Sequence, residues 1–366
     1  MTRVFVTYRV RCAPSDIAAR AQGIAVEQSV EMPLAAVMQP RIGAHIVGRV
    51  EDIAAHEGGG FAVRVSLAAE TLGPEAGQLL NMVFGNTSMH DDVTLEDVEL
   101  PTEILAAFGG PRHGIEGLRA QCGAGPRALS CTALKPQGQS VEELAALAGK
   151  MAEGGLDFIK DDHGIADQAY SPFAERVPAI VKAITAARRA TGIATQYVPS
   201  VTGDWERMRA QIALAREEGV KTVMIPPMVV GMPNFHAAVR AFPGMAFLGH
   251  PSMTGGARIA PALMFGKLFR LFGVDAPIFV NYGGRFAWPA AMCRRVADAA
   301  RAPWGPIKPA VPVPAGGLTT DRVPEMLDFY GRDTLLLIGG ALLLARENVT
   351  RATADFVARV RDHVHR

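Results

Sequence analysis

The chain has little of what would mark a protein for export, for a membrane or for nucleic acid. Its 366 residues carry 37 Lys and Arg against 36 Asp and Glu, so no field of one sign draws it to a polyanion or an anionic bilayer. Any anion site must be local, and neither nucleic acid nor membrane is expected as a partner. No apolar run is long enough to cross a bilayer, and the opening Met-Thr-Arg-Val-Phe-Val-Thr-Tyr lacks the basic and apolar regions of a signal peptide. The expected location is the cytoplasm. Cys12, Cys122, Cys131 and Cys293 form neither C-x-x-C spacing nor a disulfide framework, and read as reduced packing residues. Low-complexity tracts and charged tails are absent as well.

What is present is apolar substance, 49% of the residues against 20% charged, enough for a large core. The length suits a large domain with a smaller one attached. Residues 2–10 alternate as a strand, Ser15 opens a helical stretch, and two further strand-like segments, 44–53 and 60–69, flank Glu57-Gly58-Gly59-Gly60. An α+β domain with an antiparallel sheet is expected over 1–110, with Gly109-Gly110-Pro111 as punctuation. From residue 126 short apolar runs alternate with amphipathic stretches. Strands are expected at 127–134, 156–160, 194–199, 221–225, 245–249, 277–281, 309–314 and 334–338. Helices are expected at 140–152, 173–190, 204–218, 234–241, 259–272, 288–300, 320–328 and 350–363. Eight strand–helix pairs make 111–366 a (β/α)8 barrel, preferred to a doubly wound sheet, which rarely needs eight consecutive units.

In such a barrel the chemistry collects just after the strands. Lys135 follows the first strand, and the second runs into Lys160-Asp161-Asp162-His163. Two lysines at neighbouring strand ends would lower each other's pKa toward the range of a general base. Lys160 and Asp162 could hold a hard cation such as Mg2+ if the lysine carried a carboxylate, whereas His163 suits acid–base work better than Mg2+. His250 ends the fifth strand, and Asn281-Tyr282-Gly283-Gly284-Arg285-Phe286 after the sixth has the make-up of a lid. Gly316-Gly317 and Gly339-Gly340 follow strands seven and eight, where bare backbone N–H groups, helped by a helix N-terminus, can cradle phosphate; tight turns are the plainer use of such pairs. Arg258, Lys267 and Arg270 read as a solvated helix face or subunit contacts.

Several of these segments together resemble the RuBisCO large-chain superfamily, and within it the non-carboxylating RuBisCO-like proteins. They are Gly154-Gly155-Leu156-Asp157-Phe158-Ile159-Lys160-Asp161-Asp162, Cys131 to Gly138, Asn81-Met82-Val83-Phe84-Gly85, Leu95-Glu96-Asp97 with Pro101, and Gly110-Pro111-Arg112-His113-Gly114-Ile115. The resemblance implies a ferredoxin-like N-terminal α+β domain before the barrel. It implies Lys160 as a carbamylated metal ligand, Asp162 as a second, and His163 where the family has Glu; the implied ion is Mg2+. Lys135 would be the active-site base or proton donor, His250 a substrate-binding histidine, and Gly316, Gly317, Gly339 and Gly340 the phosphate glycines. Arg285 lies near the place of the carboxylases' lid lysine. Glu27 and Asn81 match residues lent to the neighbouring subunit's site, implying a homodimer with shared sites and no small subunit.

Pro251 stands where carboxylases have a phosphate-gripping arginine, so carboxylation is not expected. The segment Val26-Glu27-Gln28-Ser29-Val30-Glu31-Met32-Pro33, with 160–164 and 281–286, is most similar to the branch that isomerises 5-methylthioribulose 1-phosphate to 1-methylthioxylulose 5-phosphate in sulfur salvage. The implied partner is a phosphorylated small molecule. The alternatives are the 2,3-diketo-5-methylthiopentyl-1-phosphate enolase reaction, decarboxylation or hydrolysis of a 3-oxo sugar-acid phosphate, and a binding module without catalysis.

Overall fold

The computed structural model describes residues 2–364. Contacts divide them into two units. One comprises the chain up to Gly109 with Thr254–Met264 and Gly305–Ile307; the other comprises Gly110–Met253, Phe265–Trp304 and the chain from Lys308.

The first unit is a four-stranded antiparallel sheet of β1 (Arg3–Val10), β2 (Arg49–Ala55), β3 (Phe61–Ala68) and β4 (Val93–Glu99), ordered β2-β3-β1-β4. Strict alternation in β1 buries Val4, Val6, Tyr8 and Val10 on one face. Helices Ile17–Glu27 and Ala76–Phe84 complete the β-helix-β-β-helix-β order of a ferredoxin-like fold. The Tyr8 hydroxyl donates to the Val83 carbonyl, tying sheet to helix. Sequence reasoning missed β4, whose Glu96 and Asp97 mask the period. The start of the expected strand 44–53 is a π-helical turn, Ile42–Ile46.

The second unit carries eight parallel strands: β5 (Leu129–Leu134), β6 (Phe158–Asp161), β7 (Gln196–Val198), β8 (Thr222–Ile225), β9 (Ala246–Gly249), β10 (Ala276–Val280), β11 (Val313–Ala315) and β12 (Leu335–Leu337). They pair as β12-β5-β6-β7 and β8-β9-β10-β11. The Ser200–Met224 bridge joins β7 to β8, and the Leu335 amide bonded to the Pro312 carbonyl joins β12 to β11, which closes the barrel. Cys131, Phe158, Met224, Leu248, Ile278 and Leu335 are among the side chains that fill it, so it is a packed core rather than a pore. Two of the intervening helices start at side-chain caps. Ser140 and Glu143 exchange side-chain and backbone bonds in a capping box before Val141–Glu153, and Asp204 caps Trp205–Glu217.

Two expectations are corrected here. The stretch 259–272 is not one helix, because Leu95 of β4 donates to the Arg258 carbonyl and accepts from the Ala260 amide at 2.9 and 2.8 Å. Pro261 follows, then a π-helical segment, Ala262–Leu268, and a last turn, Phe269–Leu271. Arg270 is not solvated. It is fully buried, its guanidinium donating to the carbonyls of Lys308, Ala299 and Ala302, which satisfies carbonyls that would otherwise be orphaned. Arg258 donates to the Ser88 carbonyl.

Candidate active site

Strand alternation sorts the run at the end of β6. Phe158 packs in the barrel interior, so Lys160, two residues on, points to the same side, level with Ala133 of β5. Asp161 points the other way. Its carboxylate accepts from the Tyr197 hydroxyl (2.7 Å), the Ser200 amide (3.0 Å) and Arg176 (3.2 Å). Arg176 donates in addition to the carbonyls of Ser171 and Ala166, both at 2.6 Å. One buried ion pair thus holds the second barrel strand, the third strand with the residues just past its end, and the loop between Asp162 and Ser171. Sequence reasoning left out this scaffold because an arginine fifteen residues downstream reads as a helix surface.

Beyond Asp161 the candidate side chains converge. Lys135 Nζ lies 2.6 Å from Asp162 Oδ1, and His163 Nδ1 lies 3.4 Å from the same oxygen. The His163 ring stacks on that of His250 with centroids 4.5 Å apart and planes within 9°. Burial works to raise the Asp162 pKa, but the bonds from His163 and Lys135 and the Lys160 charge prevail and hold it well below the carboxylate range. Burial lowers the Lys160 pKa, with partial opposition from Cys131 and Asp162. The Lys160 ammonium donates to the Asp161 carbonyl at 2.9 Å. Burial, reinforced by the Lys160 and His163 charges, pushes His250 down to about 2, so its ring is neutral. An anchored carboxylate, an amine poised toward its neutral form and a neutral imidazole therefore share one barrel mouth.

The glycines sit where backbones meet. A Cβ on Gly339 would lie 3.7 Å from the Lys135 side chain, so the last loop borders the cluster. The helix behind it, Gly340–Leu343, is a single turn, which removes the expected helix N-terminus as an aid to phosphate and leaves loop amides alone. Gly316 and Gly317 both have positive φ, 95° and 103°, the kind of backbone that turns successive N–H groups toward one point. The 281–286 segment is laced to them: Asn281 donates to the Ala315 carbonyl at 2.8 Å and Arg285 to the Gly316 carbonyl at 2.9 Å. Fully buried Asn281 accepts from the Tyr330 hydroxyl, and the Tyr282 hydroxyl donates to Glu325, itself held by Arg322. Arg285 lies over the Phe286 ring at 5.3 Å.

A Cβ on Gly284 would stand 2.0 Å from the Gly316 carbonyl oxygen. Gly284→Ala is therefore expected to force the 281–286 segment and the glycine loop apart, raising KM for substrate about tenfold or more while leaving Tm within a few degrees. Steady-state kinetics with a melting curve check this.

Glu27 and Asn81 lie in the first unit. Glu27 closes the first helix and accepts from Asn86 at 2.8 Å; the same amide donates to Glu31 at 3.1 Å. The Asn81 carbonyl accepts from Gln28, whose side chain also reaches Met82 and Thr87 and locks the two helix ends together. Gln28 and Asn86 are the supports that sequence reasoning passed over.

Among the described residues no group of three or more His, Cys, Asp and Glu side chains is placed to hold a metal. Asp162 and His163 would gain a third ligand only from a carboxylate on Lys160. The burial that disfavours the Lys160 ammonium favours the neutral amine that reacts with CO2, so Asp162 and a carbamate on Lys160 would give a hard cation two oxygen ligands, with the His163 imidazole the poorer third. No helix among the described residues is long and apolar enough to cross a membrane.

A ferredoxin-like unit and a (β/α)8 barrel with Lys135, Lys160 and Asp162 at its strand ends define the class as an α/β barrel with an antiparallel α+β unit. The profile of the ribulose bisphosphate carboxylase large chain, catalytic domain, matches residues 114–277. Ribulose bisphosphate carboxylase-like protein 1 of Rhodopseudomonas palustris is 56% identical over 99% of this chain and 98% of its own. The 5-methylthioribulose-1-phosphate isomerase of Rhodospirillum rubrum is 54% identical over 98% and 96%. The crystal structure of a Rubisco-like protein from Rhodopseudomonas palustris superposes with a TM-score of 0.93 at 48% identity, covering 100% of this chain and 99% of that one. The chain belongs to the RuBisCO large-chain family, among its RuBisCO-like proteins.

Proposed function

We propose that this RuBisCO-like protein isomerises 5-methylthioribulose 1-phosphate to 1-methylthioxylulose 5-phosphate. The observation that carries the reading is the Lys135–Asp162 pair at 2.6 Å beside buried Lys160, with the 54% identity to a relative of that name in support. The carbonyl must travel from C2 to C4 of the substrate chain. A base takes the C3 proton, the enediolate is protonated at C2, and the same exchange repeats between C4 and C3. No atom is gained or lost. Each half needs a proton acceptor and a proton donor on one face of a short chain, and two amines at adjacent strand ends in unlike environments meet that need. Lys160, pushed toward the neutral amine by burial, is the acceptor; Lys135, ion-paired with Asp162 at 2.6 Å, is the donor.

Neutral His250 contributes a polar contact to the substrate oxygens, and Arg285 with the N–H groups of Gly316, Gly317, Gly339 and Gly340 binds the phosphate. Asp162, His163 and Lys160 as its carbamate would hold magnesium, which when bound supplies positive charge to a developing enediolate. In that form Lys160 is a ligand and proton transfer falls to Lys135. Glu27 and Asn81 serve the site of a second copy in a homodimer without a small subunit; size-exclusion chromatography giving only an active monomer would reject that assembly.

The test is phosphorus and proton NMR of the protein with Mg2+ and bicarbonate, given 5-methylthioribulose 1-phosphate in deuterated water. The expected result is a 1-methylthio-ketose 5-phosphate carrying deuterium at the exchanged carbons. Unchanged substrate without deuterium would reject the reading and favour a 3-oxo sugar-acid phosphate.

A further inference from the structure

His250 is followed by a tight turn, Pro251-Ser252-Met253, that folds back on its ring. The Ser252 amide donates to His250 Nδ1 at 3.3 Å, and Ser252 Oγ lies 2.7 Å from the same nitrogen. A backbone amide nitrogen can only donate, so Nδ1 meets it with a lone pair and carries no proton. The serine hydroxyl, facing that lone pair, donates too. The one proton of the ring must then sit on Nε2. Met253, next in the turn, has φ +65° with a side chain that is largely exposed, a left-handed conformation that costs free energy for any residue but glycine and recurs beside working groups.

We infer that Ser252 is a positioning residue which fixes His250 as the Nε2–H tautomer, so that His250 offers the substrate a hydrogen-bond donor and never a base. With Nδ1 occupied by Ser252, Nε2 is the nitrogen left to meet a ligand, and its lone pair is consumed by the bonded proton. The ring stacks on that of His163, whose Nδ1 lies 3.4 Å from Asp162 Oδ1, the oxygen that Lys135 meets at 2.6 Å. A donor there stabilises oxygen on which negative charge develops, while proton abstraction is left to the lysines. What the donor meets rests on the proposed isomerisation; the tautomer itself does not.

Long-range proton–nitrogen NMR of histidine-labelled protein, with the His250 ring assigned through His250→Gln, reads the tautomer without substrate. The expected pattern has a protonated Nε2 and a bare Nδ1, and the reverse pattern overturns the inference. Ser252→Ala keeps the amide and loses the hydroxyl. It is expected to bring in a fraction of Nδ1–H and lower kcat about fivefold with KM little changed, with Ser252→Thr restoring both. A Ser252→Ala protein with wild-type tautomer and wild-type kcat overturns the role of the hydroxyl. If 5-methylthioribulose 1-phosphate is not turned over at all, the proposed function fails while the spectrum still decides the tautomer.

Discussion

Lys160→Met is expected to abolish turnover and, at the same time, to leave the protein as stable as before or more so. Lys160 is 3% exposed, and burial is the leading cause of its lowered pKa. Its position continues the inward face that Phe158 and Cys131 line with apolar surface. Methionine matches the lysine stem in length and adapts to irregular space, so the substitution removes a buried amine whose charged form burial disfavours and opens no cavity. Replacing buried charges by apolar groups of like volume is neutral to stabilising, by up to about 4 kcal/mol for whole ion pairs. Activity moves the other way. Loss of a group that takes or delivers the proton costs about 10²–10⁴-fold in rate, and here the same residue is also the anchor for a carbamate. Thermal melting beside the NMR assay checks both halves. A melting temperature lowered by several degrees with activity intact would mean that Lys160 is structural.

The opposite pattern is expected at Arg176. Arg176→Met removes a cation that faces the fully buried Asp161 at 3.2 Å and supports the carbonyls of Ser171 and Ala166. Breaking one side of such a pair strands a buried carboxylate, at a cost of about 3–5 kcal/mol. Urea unfolding at a fixed protein concentration reads the loss, the concentration being held because association shifts apparent stability. Activity should fall as well, because Asp162 and His163 open the loop that Arg176 pins. Arg176→Lys should recover little, since an ammonium cannot span three acceptors on two sides of a loop. The double variant Asp161→Asn with Arg176→Met should recover part of the stability by removing the stranded charge. A single variant within 1 kcal/mol of the parent by urea unfolding, taking that as about the size of one hydrogen bond, would show that the pair is dispensable.

Much of the fold was legible because period and punctuation are local. Eight apolar runs separated by amphipathic stretches name a barrel. The alternation in β1 names a sheet with one buried face. The errors fall where the chain bonds across long sequence separations. The strand β4 is interrupted by charge, and its pairing with β1 is what makes it a strand. Residues 259 and 260 read as the start of a helix because nothing local says that Leu95 will claim the backbone on either side of 259. Arg270 reads as a solvated face or a subunit contact because a period cannot tell such a face from one that meets three orphaned carbonyls.

For the site, the residue types and their place at strand ends were readable from the sequence: Lys135, Lys160, Asp162, His163, His250 and the paired glycines. Their membership in a RuBisCO-like chain followed from the same segments. Only the tertiary structure decided that Lys135 pairs with Asp162, that His163 stacks on His250, that Ser252 holds one nitrogen of that ring, and that Asp161 belongs to the scaffold with Arg176. The physical reason is that strand alternation sets which way a side chain points, and that much is written in adjacent residues. Its partner comes from another strand or helix tens of residues away, at a distance fixed by barrel closure and packing, and so does the burial that sets its charge.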